Sequence, residues 1–138
     1  MRKLYVSFSA ALLAACATPQ ERQANGAAET AADAQIAQDI QRTAPGCDSD
    51  ASCAHLLELA REWALHYPSR RKVGGTSTQI NLVLTGHLFM TILIDGQGAD
   101  RRLTSKTACA FLARGESCGL EPQTAQLDLN KTVAAALK

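Results

Sequence analysis

The chain has 138 residues, which is enough for one domain of ordinary size with a tail. Fourteen Lys and Arg residues stand against thirteen Asp and Glu residues, and the net charge of +1 excludes a strongly basic nucleic-acid-binding protein. Aromatic residues account for 4% of the chain, too few to suggest a carbohydrate cleft or a base-stacking surface. The core must therefore consist mainly of Leu, Ile, Val and Ala.

The N-terminal residues have the pattern of an export signal. Arg2 and Lys3 precede about a dozen mostly apolar residues, a run that is too short to span a bilayer. The sequence Leu-Ala-Ala-Cys at residues 13–16 resembles the lipobox of bacterial lipoproteins. This resemblance implies that residues 1–15 are removed as a signal peptide and that Cys16 carries acyl chains, which would anchor the protein in a membrane. An ordinary signal peptide with an incidental Cys16 is the alternative.

Lipidation also predicts where the mature protein is found. Ala17, rather than an aspartate, follows the cysteine, and in the lipoprotein family this favours transfer to the outer membrane. We therefore expect a cell-envelope protein that faces the periplasm and is held to the membrane by its N-terminal lipid. Loss of Arg2 and Lys3 would leave 12 basic against 13 acidic residues, and four cysteines would remain besides Cys16.

Residues 16–46 are predicted to be the lipidated cysteine and a tether. They are rich in Ala and Gln and include almost no large apolar residue, so they cannot bury enough surface to offset the entropy lost on ordering. Ile36 and Ile40 allow a lone helix here, but two isoleucines do not form a buried face. A Pro-Gly pair ends the segment, and a small globular domain is expected over residues 47–138.

The pattern of this globular region predicts two helices and three strands. Apolar residues at helical spacing predict a helix over residues 52–66, which a proline terminates. Alternating or continuous apolar residues predict strands over 78–84, 88–94 and 101–111, and a Glu-Pro pair at residue 121 opens the final helix. Short connections favour a three-stranded antiparallel meander with both helices on one face, in the order α-β-β-β-α. The predicted class is α+β.

The final helix contains a further pattern, Leu-Asp-Leu-Asn-Lys at residues 127–131. Together with the helix, the meander and the cysteines, it is similar to small domains of uncharacterised bacterial lipoproteins. The likeness covers residues 52–136 and implies the same α+β fold. It implies no particular activity.

Four cysteines in an exported chain predict two disulfides. The four are Cys47, Cys53, Cys109 and Cys118. The meander would bring them to one pole of the domain, with the local pairs Cys47–Cys53 and Cys109–Cys118 preferred and the other two pairings left open. Their spacing does not match the short cysteine pairs of zinc modules, so neither a metal nor a cofactor is expected.

The motifs of the chain do not supply a nucleophile, a base and an orienting group. Glu58 and Glu62 lie four residues apart on the predicted first helix, and His66 and Asp95 are the other candidates if the protein is an envelope hydrolase. An envelope hydrolase, or another enzyme whose active site is not obvious, is the alternative function. The preferred function is a membrane-anchored binding module, either an accessory of a secretion or envelope complex or an immunity-type inhibitor.

Five cations are the candidate binding residues. Arg70, Arg71 and Lys72 precede the first predicted strand, whereas Arg101 and Arg102 open the third. These two strands are parallel in a meander, so the five side chains are expected at one pole, opposite the cysteines. They would be either solvated charges or a docking patch for an anionic protein or an anionic envelope polymer. Nucleic acid is not expected as a partner in the periplasm.

Overall fold

The computed structural model describes three stretches of the chain, residues 19–85, 88–109 and 121–138. Side chains are described from residue 27 onward, except that of Glu29. The chain divides into two units, residues 1–33 and residues 34–138, and the described part of the first unit is helical. The second unit contains the whole sheet.

Helices and strands alternate irregularly along the chain, as expected for the α+β class. The helices are α1 (Pro19–Thr43), α2 (Asp50–His66) and α3 (Glu121–Ala136), and the strands are β1 (Gly46–Cys47), β2 (Arg70–Gly75), β3 (Gln79–Leu84), β4 (Leu88–Asp95) and β5 (Arg101–Cys109). The strands form one antiparallel sheet in the order β1-β5-β4-β3-β2. The predicted α+β class is confirmed. The predicted three-stranded meander is present as β3, β4 and β5, but a short strand extends it at each edge.

One face of the sheet forms the hydrophobic core with α2 and α3. Alternate side chains of β3 and β4 are buried on this face, as period-two strands require, and β5 adds one buried residue. The buried strand residues are Ile80, Leu82, Leu84, Leu88, Met90, Ile92 and Leu103. Leu56, Ala60 and Trp63 of α2 and Leu129 and Val133 of α3 belong to the same cluster. The core is therefore largely aliphatic, as the composition predicts.

The two edge strands lack the apolar pattern that identifies the central ones. β2 has the sequence Arg-Arg-Lys-Val-Gly-Gly and buries little surface, while β1 consists of two residues. Pairing with β3 and β5, respectively, rather than side-chain burial, makes these segments extended. Long-range hydrogen bonding of this kind leaves no local signal in the sequence.

The N-terminus of α2 is fixed by a capping box. Ser49 is the N-cap, its hydroxyl accepts a hydrogen bond from the backbone N–H of Ser52, and the Ser52 hydroxyl accepts one from the backbone N–H of Ser49. These bonds satisfy two backbone donors and start the helix at Asp50, two residues before the predicted position. The helix ends at His66, close to the predicted end.

The last turns of α1 belong to the sheet-containing unit, which begins at Ala34 rather than at the predicted Cys47. Asn130 of α3 is fully buried, and its side-chain amide donates hydrogen bonds to the carbonyl oxygen of Ile40 (3.0 Å) and the hydroxyl of Thr43 (3.2 Å). The Thr43 hydroxyl in turn donates to the carbonyl oxygen of Asp39 at 2.6 Å, so these bonds join the last turn of α1 to α3. The end of the predicted tether is therefore bonded to α3 through the buried amide of Asn130.

Candidate functional site

The cysteines are the first predicted site residues. Cys47 and Cys53 form a disulfide with a Cα–Cα distance of 5.1 Å, so the preferred local pairing is confirmed for these two residues. Cys109 is also disulfide-bonded. Cys118 and Cys16 lie outside the described residues, so the pairing of Cys118 and the lipidation of Cys16 stay predictions.

The prediction that the cysteines share one pole of the domain is wrong for Cys47 and Cys109. Cys47 pairs with Arg101 at the start of β5, whereas Cys109, at the end of the same strand, pairs with Leu88. Eight residues of extended chain separate the two positions by about 26 Å. We call the first region the Cys47 end of the sheet.

The prediction that the five cations lie together at one pole is wrong for a related reason. Arg70 pairs with Leu84, at the end of the sheet where β5 finishes, while Arg102 pairs with Asp95 at the Cys47 end. From the sequence, residues 70–72 are expected only to precede the strand that corresponds to β3. They are instead the start of β2, which runs antiparallel to β3 and carries the three cations to the opposite end, here called the Arg70 end.

Arg101 and Arg102 at the Cys47 end have structural partners. The Arg101 guanidinium forms an ion pair with Asp50 at 2.7 Å and donates to the carbonyl oxygen of Gly98 at 2.9 Å. Arg102 donates to the carbonyl oxygen of Ala44 at 3.3 Å. These contacts join β5 to the start of α2, to the β4–β5 connection and to the chain that follows α1.

The cations of the Arg70 end lie on an edge strand, and two features there are typical of edges that resist pairing with another chain. Arg70, Arg71 and Lys72 are all exposed, and the register with β3 shifts between Arg70 and Lys72 as in a β-bulge. Charged side chains and bulges both discourage edge-to-edge association. The architecture of the sheet therefore accounts for Arg70 and Arg71 without a ligand.

The candidate catalytic groups do not converge. Glu62 and His66 line a groove between α2 and α3, whereas Asp95 lines another groove beside the last turns of α1. Glu58 faces His55 on the exposed side of α2, with 3.9 Å between the nearest side-chain atoms. The described part of the chain contains no group of three or more His, Cys, Asp or Glu residues placed to hold a metal ion.

Another surface lies on the face of the sheet opposite α2 and α3. Lys72, Val83, Phe89 and Ala108 are paired across β2, β3, β4 and β5, so they form one row on this face. Phe89 is 43% exposed at the middle of the row. Lys106, diagonal to Phe89 on β5, is also exposed. We call these five residues the open-face row. The alternation in β3 and β4 could have indicated it, because it places Val83 and Phe89 opposite the buried positions.

The pattern at residues 127–131 has a structural explanation. The indole N–H of Trp63 donates to a carboxylate oxygen of Asp128 at 2.7 Å, which ties α2 to α3. Leu129 is buried in the core, and Asn130 holds the end of α1. The residues that carry the resemblance therefore join three helices, and none of these contacts requires a ligand.

Comparisons of the chain with protein-family models, with curated proteins and with solved structures find no match. Within the described ranges, no helix is both long enough and apolar enough to cross a membrane. The fold and the surfaces described above are therefore the basis for a functional proposal.

Proposed function

We propose that the protein is a lipid-anchored interaction module of the bacterial cell envelope, facing the periplasm from the outer membrane. The lipobox-like residues 13–16 support the anchor. The Cys47–Cys53 disulfide supports an oxidising compartment, since disulfides persist there and are rare in the cytosol. The proposed partner is a protein with an acidic surface.

The observation that carries the interaction is the open-face row. An exposed aromatic side chain at the centre of a sheet face is typical of binding residues, because aromatic rings provide large contact areas at a low entropic cost. Lys72 and Lys106 lie on either side of Phe89, so a complementary surface would present acidic residues around an apolar centre. Asn81 and Thr91 lie next to the row and form a polar border, with the Thr91 hydroxyl donating a hydrogen bond to the side-chain oxygen of Asn81.

A protein partner suits this surface better than an envelope polymer. Val83 and Ala108 add apolar area beside Phe89, and a polysaccharide or a phosphate-rich polymer gains little from apolar contacts. The flanking lysines would then increase the association rate and fix the orientation of the complex. The open-face row thus takes the place of the predicted five-cation patch as the proposed binding surface, and the proposed partner is still anionic.

Site-specific photocrosslinking in the source cell tests the interaction. A benzophenone amino acid at position 89 should give a discrete adduct, and Lys72→Glu with Lys106→Glu should reduce its yield by about tenfold. Position 65 is the matched control, because Leu65 is 42% exposed and lies on α2. Equal adduct yields at positions 65 and 89, or a yield that ignores charge reversal, would contradict the proposal. An adduct with a polymer rather than with a protein would also contradict it.

The anchor has a separate test. The Cys16→Ser variant should lose acyl-chain labelling and leave the membrane fraction, because the proposed lipid is attached to that sulfur. Normal labelling and membrane fractionation of the variant would show that the anchor assignment is wrong. The crosslinking experiment does not depend on this result, since the open-face row is far from residue 16 in the sequence.

A further inference from the structure

A groove between α2 and α3 is unrelated to the open-face row. Its volume is about 340 Å³, and its walls include Leu59 and Trp63 from α2, Tyr67 directly after α2, and Val133 and Ala136 from α3. The rings of Trp63 and Tyr67 lie with their centroids 4.7 Å apart and their planes tilted by 39°. The groove therefore combines aliphatic and aromatic surface.

The lining of the groove includes two acidic side chains. Glu62 and Asp128 contribute the two carboxylates that line it, and among the described residues neither forms an ion pair. One carboxylate oxygen of Asp128 accepts the Trp63 hydrogen bond, which leaves the other oxygen for a ligand. No lysine or arginine in the described part of the chain lines the groove.

The neighbouring charges are consistent with a negative potential at the aromatic end. Burial raises the pKa of Tyr67 above its ordinary value, and the nearby carboxylates of Glu121 and Asp128 raise it further by smaller amounts. His66 lines the groove, and its Nδ1 donates to the carbonyl oxygen of Glu62 at 2.8 Å. Arg70 donates to the carbonyl oxygen of Tyr67 at 3.3 Å, but it lies outside the lining.

The two ends of the groove differ in character. Leu59 lies about two turns before Tyr67 along α2, and Ala136 lies about two turns beyond Asp128 in α3. Because Glu121 and Asp128 are near Tyr67, these two aliphatic residues lie towards the opposite end of the groove. An elongated group with an apolar stem and a cationic head matches this gradient, because its stem would contact aliphatic carbon while its head meets aromatic rings and carboxylates. We propose that the groove binds the side chain of an arginine or lysine presented by a partner protein.

The exposure of the rim favours a side chain over a free amine. Glu62, Pro68, Asp128 and Thr132 are all exposed, so the groove is open along its length. Pockets for free small molecules usually bury most of the ligand surface. Here the remaining cover would come from the partner that carries the side chain.

Trp63 is the only tryptophan of the chain, so its fluorescence reports directly on the groove. The purified full chain would be titrated with an acetylated and amidated Gly-Arg-Gly peptide. The matching citrulline peptide, which has nearly the same shape without the charge, is the control. A saturable change is expected with the arginine peptide, with binding at least about fivefold tighter than that of the citrulline peptide. Equal binding of both peptides, or no saturable change up to about 20 mM, would overturn the proposal.

A pair of variants tests the position of the ligand. Glu62→Gln should weaken binding of the arginine peptide by about threefold, because it removes one carboxylate from the groove. Glu58→Gln is the matched control on the same helix, outside the lining, and should leave binding unchanged. Equal effects of the two variants would overturn the assignment to this groove. Tenfold tighter binding of free butylguanidinium than of the peptide would overturn the assignment to a protein side chain.

Discussion

The two ends of the sheet carry similar basic residues in different surroundings. At the Cys47 end, Arg101 and Arg102 bridge separate segments of the chain, and the Cys47–Cys53 disulfide lies beside them. At the Arg70 end, Arg71 and Lys72 are exposed on an edge strand, and no ion pair is found among the residues described there. The same residue types thus join segments at one end and protect an edge at the other.

The difference shows that the role of a surface cation follows from its neighbours and not from its place in a basic run. The Cys47 end holds together β1, β5, the start of α2 and the chain after α1, where the backbone N–H of Leu103 also donates to the carbonyl oxygen of Pro45 at 2.9 Å. Asn130 adds the end of α1 to the same assembly. Substitutions at the Cys47 end should therefore change stability more than substitutions at the Arg70 end.

The largest effect is expected for Asn130→Ala. The change removes three side-chain hydrogen bonds, to the Ile40 carbonyl, to the Thr43 hydroxyl and from the Gln126 amide, in a region without solvent. The unpaired groups should lower the free energy of unfolding by about 3 kcal/mol, measured by urea denaturation. Asn81→Ala is the control, because Asn81 is exposed and should lose less than about 1 kcal/mol. Equal losses would show that Asn130 does not hold α1.

An intermediate effect is expected when the Cys47–Cys53 disulfide is removed. The bridge spans a sequence separation of 6, for which the chain-entropy relation gives a stabilisation of about 2 kcal/mol. Cys47→Ala with Cys53→Ala should lower the unfolding free energy by that amount, and either single variant should lose nearly as much. Modification of Cys47 or Cys53 by a thiol reagent in the native protein would contradict the assignment.

The smallest effects distinguish the two basic runs directly. Arg101→Glu should cost about 1–2 kcal/mol, since it breaks the pair with Asp50 and the bond to Gly98 and places two acidic side chains together. Arg71→Glu should stay within about 0.5 kcal/mol, as is usual for an exposed position. Thermal or urea unfolding of the two variants side by side measures the difference. Equal destabilisation would mean that the two ends of the sheet do not differ in this way.

The sequence predicted the central elements because their signals are local. The apolar stripe of α2 and the alternation in β3 and β4 depend on residues within one element, and each of these elements is found within two residues of its predicted bounds. The local Cys47–Cys53 pair was also predictable, since six positions of sequence keep the two cysteines close. The final helix begins at Glu121, as its Glu-Pro pair indicates.

What could not be predicted depends on distant partners. Arg70–Gly75 forms a strand because it pairs with β3. A prediction that lacks this pairing places the basic residues 70–72 at the wrong end of the sheet. The side chain that bonds the last turn of α1 to the sheet-containing unit is Asn130, which is 87 residues from Thr43. No pattern within the Ala- and Gln-rich segment contains that information. The open-face row could not be predicted for the same reason, because its residues become neighbours only when four strands pair.

We infer that the Cys47 end, including the last turns of α1, stabilises the unit that presents the open-face row. Urea unfolding of chains beginning at Ala34 and at Gly46, each with and without Asn130→Ala, tests this claim most directly. The chain from Ala34 should be more stable by at least about 2 kcal/mol, and Asn130→Ala should have much less effect in the shorter chain, whose Ile40 and Thr43 are missing. Equal stability of the two chains, or an unchanged cost of Asn130→Ala in the shorter one, would contradict it.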